Sequence, residues 1–148
     1  MTVKNIICNS RWCPGPDGGP LYFSGSGATY DNLCVCGYRT CTTTLPEGGS
    51  GYDQYDPAIP VRGQQAITWG YVLRAVEAQD IRLAAEFCGP NGQTERREEV
   101  ITCRVCYCFS RQMATFSIPD WAETVRLSLH FAGKTTACTY YAPAAYFC

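Results

Sequence analysis

The chain is poor in charge: Asp, Glu, Lys and Arg make up 17% of its 148 residues, against about a quarter in an ordinary soluble domain. It has two lysines, Lys4 and Lys134, and one histidine, His130. With 12 basic and 13 acidic side chains the net charge is −1, and no basic stripe exists to neutralise phosphates, so nucleic-acid partners are not expected. The longest mostly apolar run, Ala66 to Leu73, is far too short to span a bilayer, so no membrane insertion is expected. The opening Met1-Thr2-Val3-Lys4 does not lead into the apolar core of a secretory signal, which points to synthesis without export. Also missing are a phosphate-binding glycine loop, a paired metal-binding motif and a nucleophile elbow. No carboxylate pair stands out, and His130 is the sole imidazole available to a nucleophile–base pair. The chain therefore reads as non-enzymatic.

What is abundant is cysteine. Eleven occur, at positions 8, 13, 34, 36, 41, 88, 103, 106, 108, 138 and 148, just below the density of a disulfide scaffold. The odd number forbids complete internal pairing. Cys34/Cys36 and Cys106/Cys108 lie two apart, which on a strand places both thiols on one face and makes them disulfide candidates. Cys103 and Cys106 form one CxxC; with a single histidine in the chain, a structural zinc would need two distant thiols as further ligands. Inert burial is the other reading of these thiols. Ten arginines against two lysines suggest a GC-rich genome and say nothing about fold.

Alternation dominates the second half. Ile67, Trp69, Tyr71 and Leu73 share one face, as do Ile81, Leu83, Ala85 and Phe87, and then Val125, Leu127, Leu129 and Phe131; each set predicts a half-buried strand. Trp69 keeps phase with its neighbours and is expected in the core. Gly89-Pro-Asn-Gly92 is a turn. Glu95-Arg-Arg-Glu-Glu99 reads as a solvated turn before a strand over Val100–Phe109, followed by strands at Ala114–Ile118 and Thr136–Phe147. In the first half, short strands are expected at Val3–Asn9, Leu21–Ser24, Cys34–Cys36 and Arg39–Leu45. The stretches Pro14–Pro20, Pro46–Gly51 and Gly51–Asp56 read as loops. Many short strands with Gly/Pro turns predict an all-β chain: one antiparallel β-sandwich or jelly-roll domain over residues 1–148.

Three stretches resemble the galactose-binding-like jelly rolls, especially carbohydrate-binding modules of the family 4/9 type. They are Asn5-Ile-Ile-Cys-Asn-Ser-Arg-Trp12-Cys13, Ile59 through Gly63-Gln64 to Ala75, and the block from Phe109-Ser-Arg111 through Thr115-Phe116-Ser-Ile-Pro119 to Phe147. The resemblance places Trp12 in the core. It also implies a structural calcium site, but the positions of its carboxylates fall on Cys13 and Pro143 or Ala144, which lack the required oxygens. The site is therefore expected to be lost, with Cys13 and Cys148 as a covalent substitute. Sugar binding needs exposed aromatic faces with amides or carboxylates beside them; the candidates are Trp121, Tyr52 and Tyr55, with Gln54, Asp53 and Asp56. Jelly rolls of this kind occur on phage particles, which are assembled in the cytoplasm and act outside it. The expectation is a virion protein decorating a capsid or tail, in contact with capsid or tail proteins, with copies of itself, and with cell-surface polysaccharide. The alternatives are a carbohydrate-binding module of a secreted glycan-active system and a fibre subunit cross-linked by disulfides.

Overall fold

The computed structural model describes residues 4–148, with the side chains of residues 32 and 33 left aside. Among the described residues there are eight strands: β1 (Phe23–Ser26), β2 (Ala28–Val35), β3 (Tyr38–Leu45), β4 (Ser50–Pro60), β5 (Ala66–Cys88), β6 (Thr94–Val100), β7 (Ser110–Ser117) and β8 (Thr124–Phe147). All pairings are antiparallel.

The two long strands organise the domain. β5 and β8 pair along their whole length, from Ile67 opposite Phe147 to Cys88 opposite Thr124. β7 borders the first half of β5 and β6 the second half. On β8, β4 borders the first half and β3 the second. The result is two layers, β6-β5-β8-β4-β1 and β7-β5-β8-β3-β2, that share the long pair. The register shifts between Ala78 and Asp80, next to Glu77 and Gly133, which both have positive φ. A bulge of this kind bends a strand and increases its twist, so one strand can serve both layers. The Gly133 N–H bonds the Gly49 carbonyl at 2.8 Å, and the Lys134 N–H bonds Gln79 Oε1 at 2.9 Å, which fixes the bend.

The inward faces meet in one core. Trp69, Tyr71, Leu73, Ile81, Leu83, Phe87, Leu127, Leu129 and Tyr140 are wholly buried, as the alternation requires. Trp12 closes the cluster, with ring centroids 5.6 Å from Phe23 and Tyr30 and 5.9 Å from Tyr140. Burial of an indole at about 25 cal/mol per Å² is worth on the order of 5 kcal/mol before entropy is counted. Asn9 positions it: its Oδ1 accepts from the Cys13 N–H, and its Nδ2 donates to the Cys13 and Leu21 carbonyls. Asn5 ties the same segment to β8, since its Oδ1 accepts from the Ala145 and Ile7 N–H groups.

Four expectations change. Residues 51–56 belong to β4, because Phe131, His130, Leu129 and Ser128 of β8 stand opposite and hold them extended. Thr94–Val100 is the edge strand β6, its polar sequence reflecting how little of it is buried. Residues 101–109 form a short 3-10 turn and loop rather than a strand, so Cys106 and Cys108 do not share a strand face. Residues 4–9 form no strand, and Val3 lies outside the described residues. No helix among the described residues is long and apolar enough to cross a membrane.

Candidate functional site

The outward face of the β6-β5-β8-β4-β1 layer carries a row of side chains over four adjacent strands. Arg82 on β5 is the cross-strand partner of His130 on β8, His130 is that of Tyr52 on β4, and Tyr52 is that of Ser26 on β1. In the next row Glu98 lies opposite Ala84, Ala84 opposite Ser128, Ser128 opposite Gln54, and Gln54 opposite Ser24. The first row, with Glu98 of the second, lines a cleft of about 440 Å³ to which Asp80, Arg96 and Ser50 also contribute.

One aromatic face and an array of charge define this cleft. Tyr52 is 37% exposed and stacks on His130 with centroids 6.0 Å apart and planes 30° apart. Arg82 pairs with Asp80 at 3.0 Å and with Glu98 at 3.7 Å, and Arg96 pairs with Glu98 at 3.1 Å. Asp80, hydrogen-bonded to the Arg82 guanidinium, pushes the latter's pKa up. Two cations and two anions therefore hold one another in place, with no net charge at neutral pH. His130 Nε2 lies 2.8 Å from Ser128 Oγ. Burial, and then the Arg96 charge, hold the imidazole below its ordinary pKa, with Glu98 opposing; it is neutral at pH 7. Such a surface offers a flat apolar patch flanked by donors and acceptors, as hydroxyl-rich ligands require.

The six residues expected around a sugar are divided by the pleat. Tyr52, Gln54 and Asp56 face outward, with Asp56 Oδ1 accepting from Ser24 Oγ at 2.6 Å and from Gln54 Nε2 at 3.4 Å. Asp53 and Tyr55, one residue out of phase, point into the core at 0% and 3% exposure, so neither can meet a ligand. Trp121 is no open platform: it packs on the core and lies so close over Gly89 that a Cβ there would come within 2.6 Å of the ring. Asp80 with Arg82 and Arg96 with Glu98 lie two apart on their own strands, but the two pairs meet each other and His130 only through sheet register, which the sequence does not show. His130 could be placed on an outward face from alternation alone.

Asp53 has a structural task. Its Oδ1 accepts from the Tyr30 hydroxyl at 2.6 Å and its Oδ2 from the Tyr71 hydroxyl at 2.7 Å. Burial raises its pKa to about 6 against the opposing effect of both phenols.

Every cysteine is a free thiol, with Cys41 and Cys138 buried, Cys88 half-buried and the other eight exposed. The expected Cys13–Cys148 bond is not formed; Cys148 Sγ contacts Thr68 Oγ1 at 3.3 Å, whereas Cys13 lines a cavity with Cys34. Cys36 sits in the β2–β3 turn at positive φ and so leaves the strand face of Cys34. Among the described residues no three Cys, His, Asp or Glu side chains gather as metal ligands, which leaves Cys103 and Cys106 without partners for zinc. The surroundings of Cys13 do not fit calcium either, because Arg11 and Arg39 line that cavity and a hard dication needs oxygens.

No family model matches the chain, and no curated protein matches it. Solved structures do. The enzymatically active domain of bacteriophage CBA120 tailspike protein 4 is similar over 97% of this chain, with a TM-score of 0.71 and 11% identity; the chain spans 21% of that protein's length. TmCBM61, solved in complex with beta-1,4-galactotriose, is similar over 97% of this chain and 99% of its own, with a TM-score of 0.63 and 9% identity. The CBM22-1 xylan-binding domain of Paenibacillus barcinonensis Xyn10C is similar over 98% of this chain and 95% of its own, with a TM-score of 0.64 and 12% identity. The chain has the jelly-roll β-sandwich fold found in carbohydrate-binding modules and in a phage tailspike domain.

Proposed function

We propose that this chain is a non-catalytic glycan-binding module of a virion. Its cleft on the β6-β5-β8-β4-β1 face would take a surface polysaccharide of the host. The carrying observation is the row Arg82–His130–Tyr52–Ser26 on four neighbouring strands. It supplies a stacking ring and fixed polar groups on rigid strands rather than on loops. Likeness to carbohydrate-binding modules supports the glycan reading, and likeness to a tailspike domain supports a place on a phage particle. A tail or capsid protein is then the neighbour that anchors the module, beside copies of itself.

Tyr52→Ala tests the cleft. In titration calorimetry against solubilised host-envelope polysaccharide, this variant should bind at least about tenfold more weakly, the loss of roughly 1.4 kcal/mol of ring contact, with an unchanged melting temperature. Equal binding by both proteins would refute the site. Quantitative mass spectrometry of purified particles tests the virion role, which requires many copies per particle.

A further inference from the structure

A second cavity, of about 500 Å³, lies between the N-terminal segment and the β2–β3 hairpin, lined by Arg11, Trp12, Cys13, Asp31, Cys34 and Arg39 among others. Its charge is unlike that of the cleft. Five of the ten arginines, Arg62, Arg82, Arg96, Arg97 and Arg104, pair with carboxylates. Arg11 and Arg39 do not: among the described residues neither meets a carboxylate within 4 Å.

Arg39 is held by neutral groups. Its Nε donates to the Asp31 carbonyl at 2.8 Å, its Nη2 to the Tyr30 carbonyl at 3.2 Å, and its Nη1 to the Trp12 and Gly18 carbonyls at 3.4 Å. Carbonyls orient a guanidinium and leave its charge in place. Arg11 lies over the Tyr38 ring and makes one long bond, 3.5 Å, to the Gly37 carbonyl, so most of its donors are unused. The one acid present, Asp31, is turned to β3, where Oδ2 accepts from Thr40 Oγ1 at 3.0 Å and Thr42 Oγ1 at 2.7 Å. Trp12, which also lines the cavity, is fully buried with no acceptor for its Nε1–H, a deficit it shares with Trp69 of the core.

We propose that this cavity is a ligand site distinct from the cleft, and that it binds a carboxylate-bearing sugar, a hexuronate or a short chain ending in one. Two guanidiniums without a carboxylate partner match an anionic ligand: Arg11 can offer it paired N–H bonds, and Arg39, most of whose N–H groups bond carbonyls, adds its charge. The volume accommodates one or two sugar rings. This inference does not depend on the cleft reading.

The two thiols in the cavity report occupancy. Cys13 and Cys34 are exposed and alkylate unless a ligand covers them. Sodium glucuronate at ten times its Kd should slow N-ethylmaleimide labelling of both about elevenfold, read by peptide mass spectrometry, while Cys103 and Cys108 label at an unchanged rate. Arg11→Gln should remove the protection without changing the melting temperature, and Arg39→Lys should weaken it. Tyr52→Ala should leave it intact, which separates this site from the cleft. Absence of protection, equal protection by glucose, or equal protection by acetate (an adventitious ion only) would each overturn the proposal. So would protection that survives in Arg11→Gln.

Discussion

The Tyr71 hydroxyl donates to Asp53 Oδ2 at 2.7 Å and thereby joins the first half of β5, which β7 borders, to β4 of the other layer through a carboxylate that water does not reach. Tyr30 of β2 completes the bridge at 2.6 Å. A buried anion with two phenol donors is nearly satisfied, yet it remains costly to ionise.

That cost sets a pH dependence of unusual sign. The Asp53 pKa rises from 3.8 to about 6 on folding, so the folded chain binds the proton more tightly. Stability from this group is fully present below about pH 4 and is lost as pH rises through about 6, by up to about 3 kcal/mol. Urea midpoints measured from pH 4 to 7 should fall relative to those of Asp53→Asn, whose amide does not titrate in that window. Parallel curves for the two proteins would refute this assignment.

Removal of one phenol leaves half the carboxylate bare. Tyr71→Phe should cost about 2–3 kcal/mol in denaturant unfolding at pH 7 and steepen the dependence between pH 5 and 7. A loss within experimental error would mean that the bridge carries no energy.

Gly70 is a point of contact between strands. A Cβ there would stand 1.9 Å from the Gln112 carbonyl oxygen on β7, so Gly70→Ala should displace β7 and destabilise the fold by at least about 3 kcal/mol. Gly92 offers the contrast, with positive φ and open space around it; alanine there should cost only about 1 kcal/mol. Thermal melts of the pair distinguish a steric effect from a conformational one.

His130 reports on the cleft. Burial and Arg96 hold its pKa below 6.5, so the folded state resists its protonation, and the stability it contributes is lost as pH falls through 6.5 and below. Its imidazole resonance should titrate below 6.5 by NMR, and Arg96→Gln should move the midpoint upward. A midpoint above 6.5 would contradict the burial of the ring.

The thiols are expected to fall into two classes. Burial raises Cys138 to about 12 and pushes Cys41 up as well, so neither should react with a soluble disulfide reagent until the chain unfolds. Peptide mapping of native protein should find those two unlabelled and the eight exposed thiols modified. A disulfide in the folded protein would instead protect two of the exposed thiols.

Much of the architecture was legible in the alternation. Ile67 to Leu73, Ile81 to Phe87 and Val125 to Phe131 all take the inward phase that their spacing predicts, because burial of one sheet face selects every second residue. Trp69 was readable as core for the same reason, and Trp12 from the resemblance to the jelly-roll modules. The continuity of β5 through Arg74–Asp80 was not legible, since that stretch has no apolar face. Its extension is imposed by hydrogen bonding along β8. The charged β6 was likewise hidden: an edge strand gains most from its backbone ladder, and charges on it discourage pairing with other chains.

The local sequence thus determined an all-β chain and the inward phase of its apolar strands, Ile67–Leu73, Ile81–Phe87 and Val125–Phe131. Tertiary structure alone decided that Asp53 and Tyr55 would be buried while Tyr52 faces out, because a single residue of register exchanges the two faces of a strand. It also decided that Arg82, Glu98 and His130, far apart along the chain, would meet beside Tyr52. Proximity between strands depends on which strands pair and at what offset. That is a property of the whole set of backbone bonds, and no single segment encodes it.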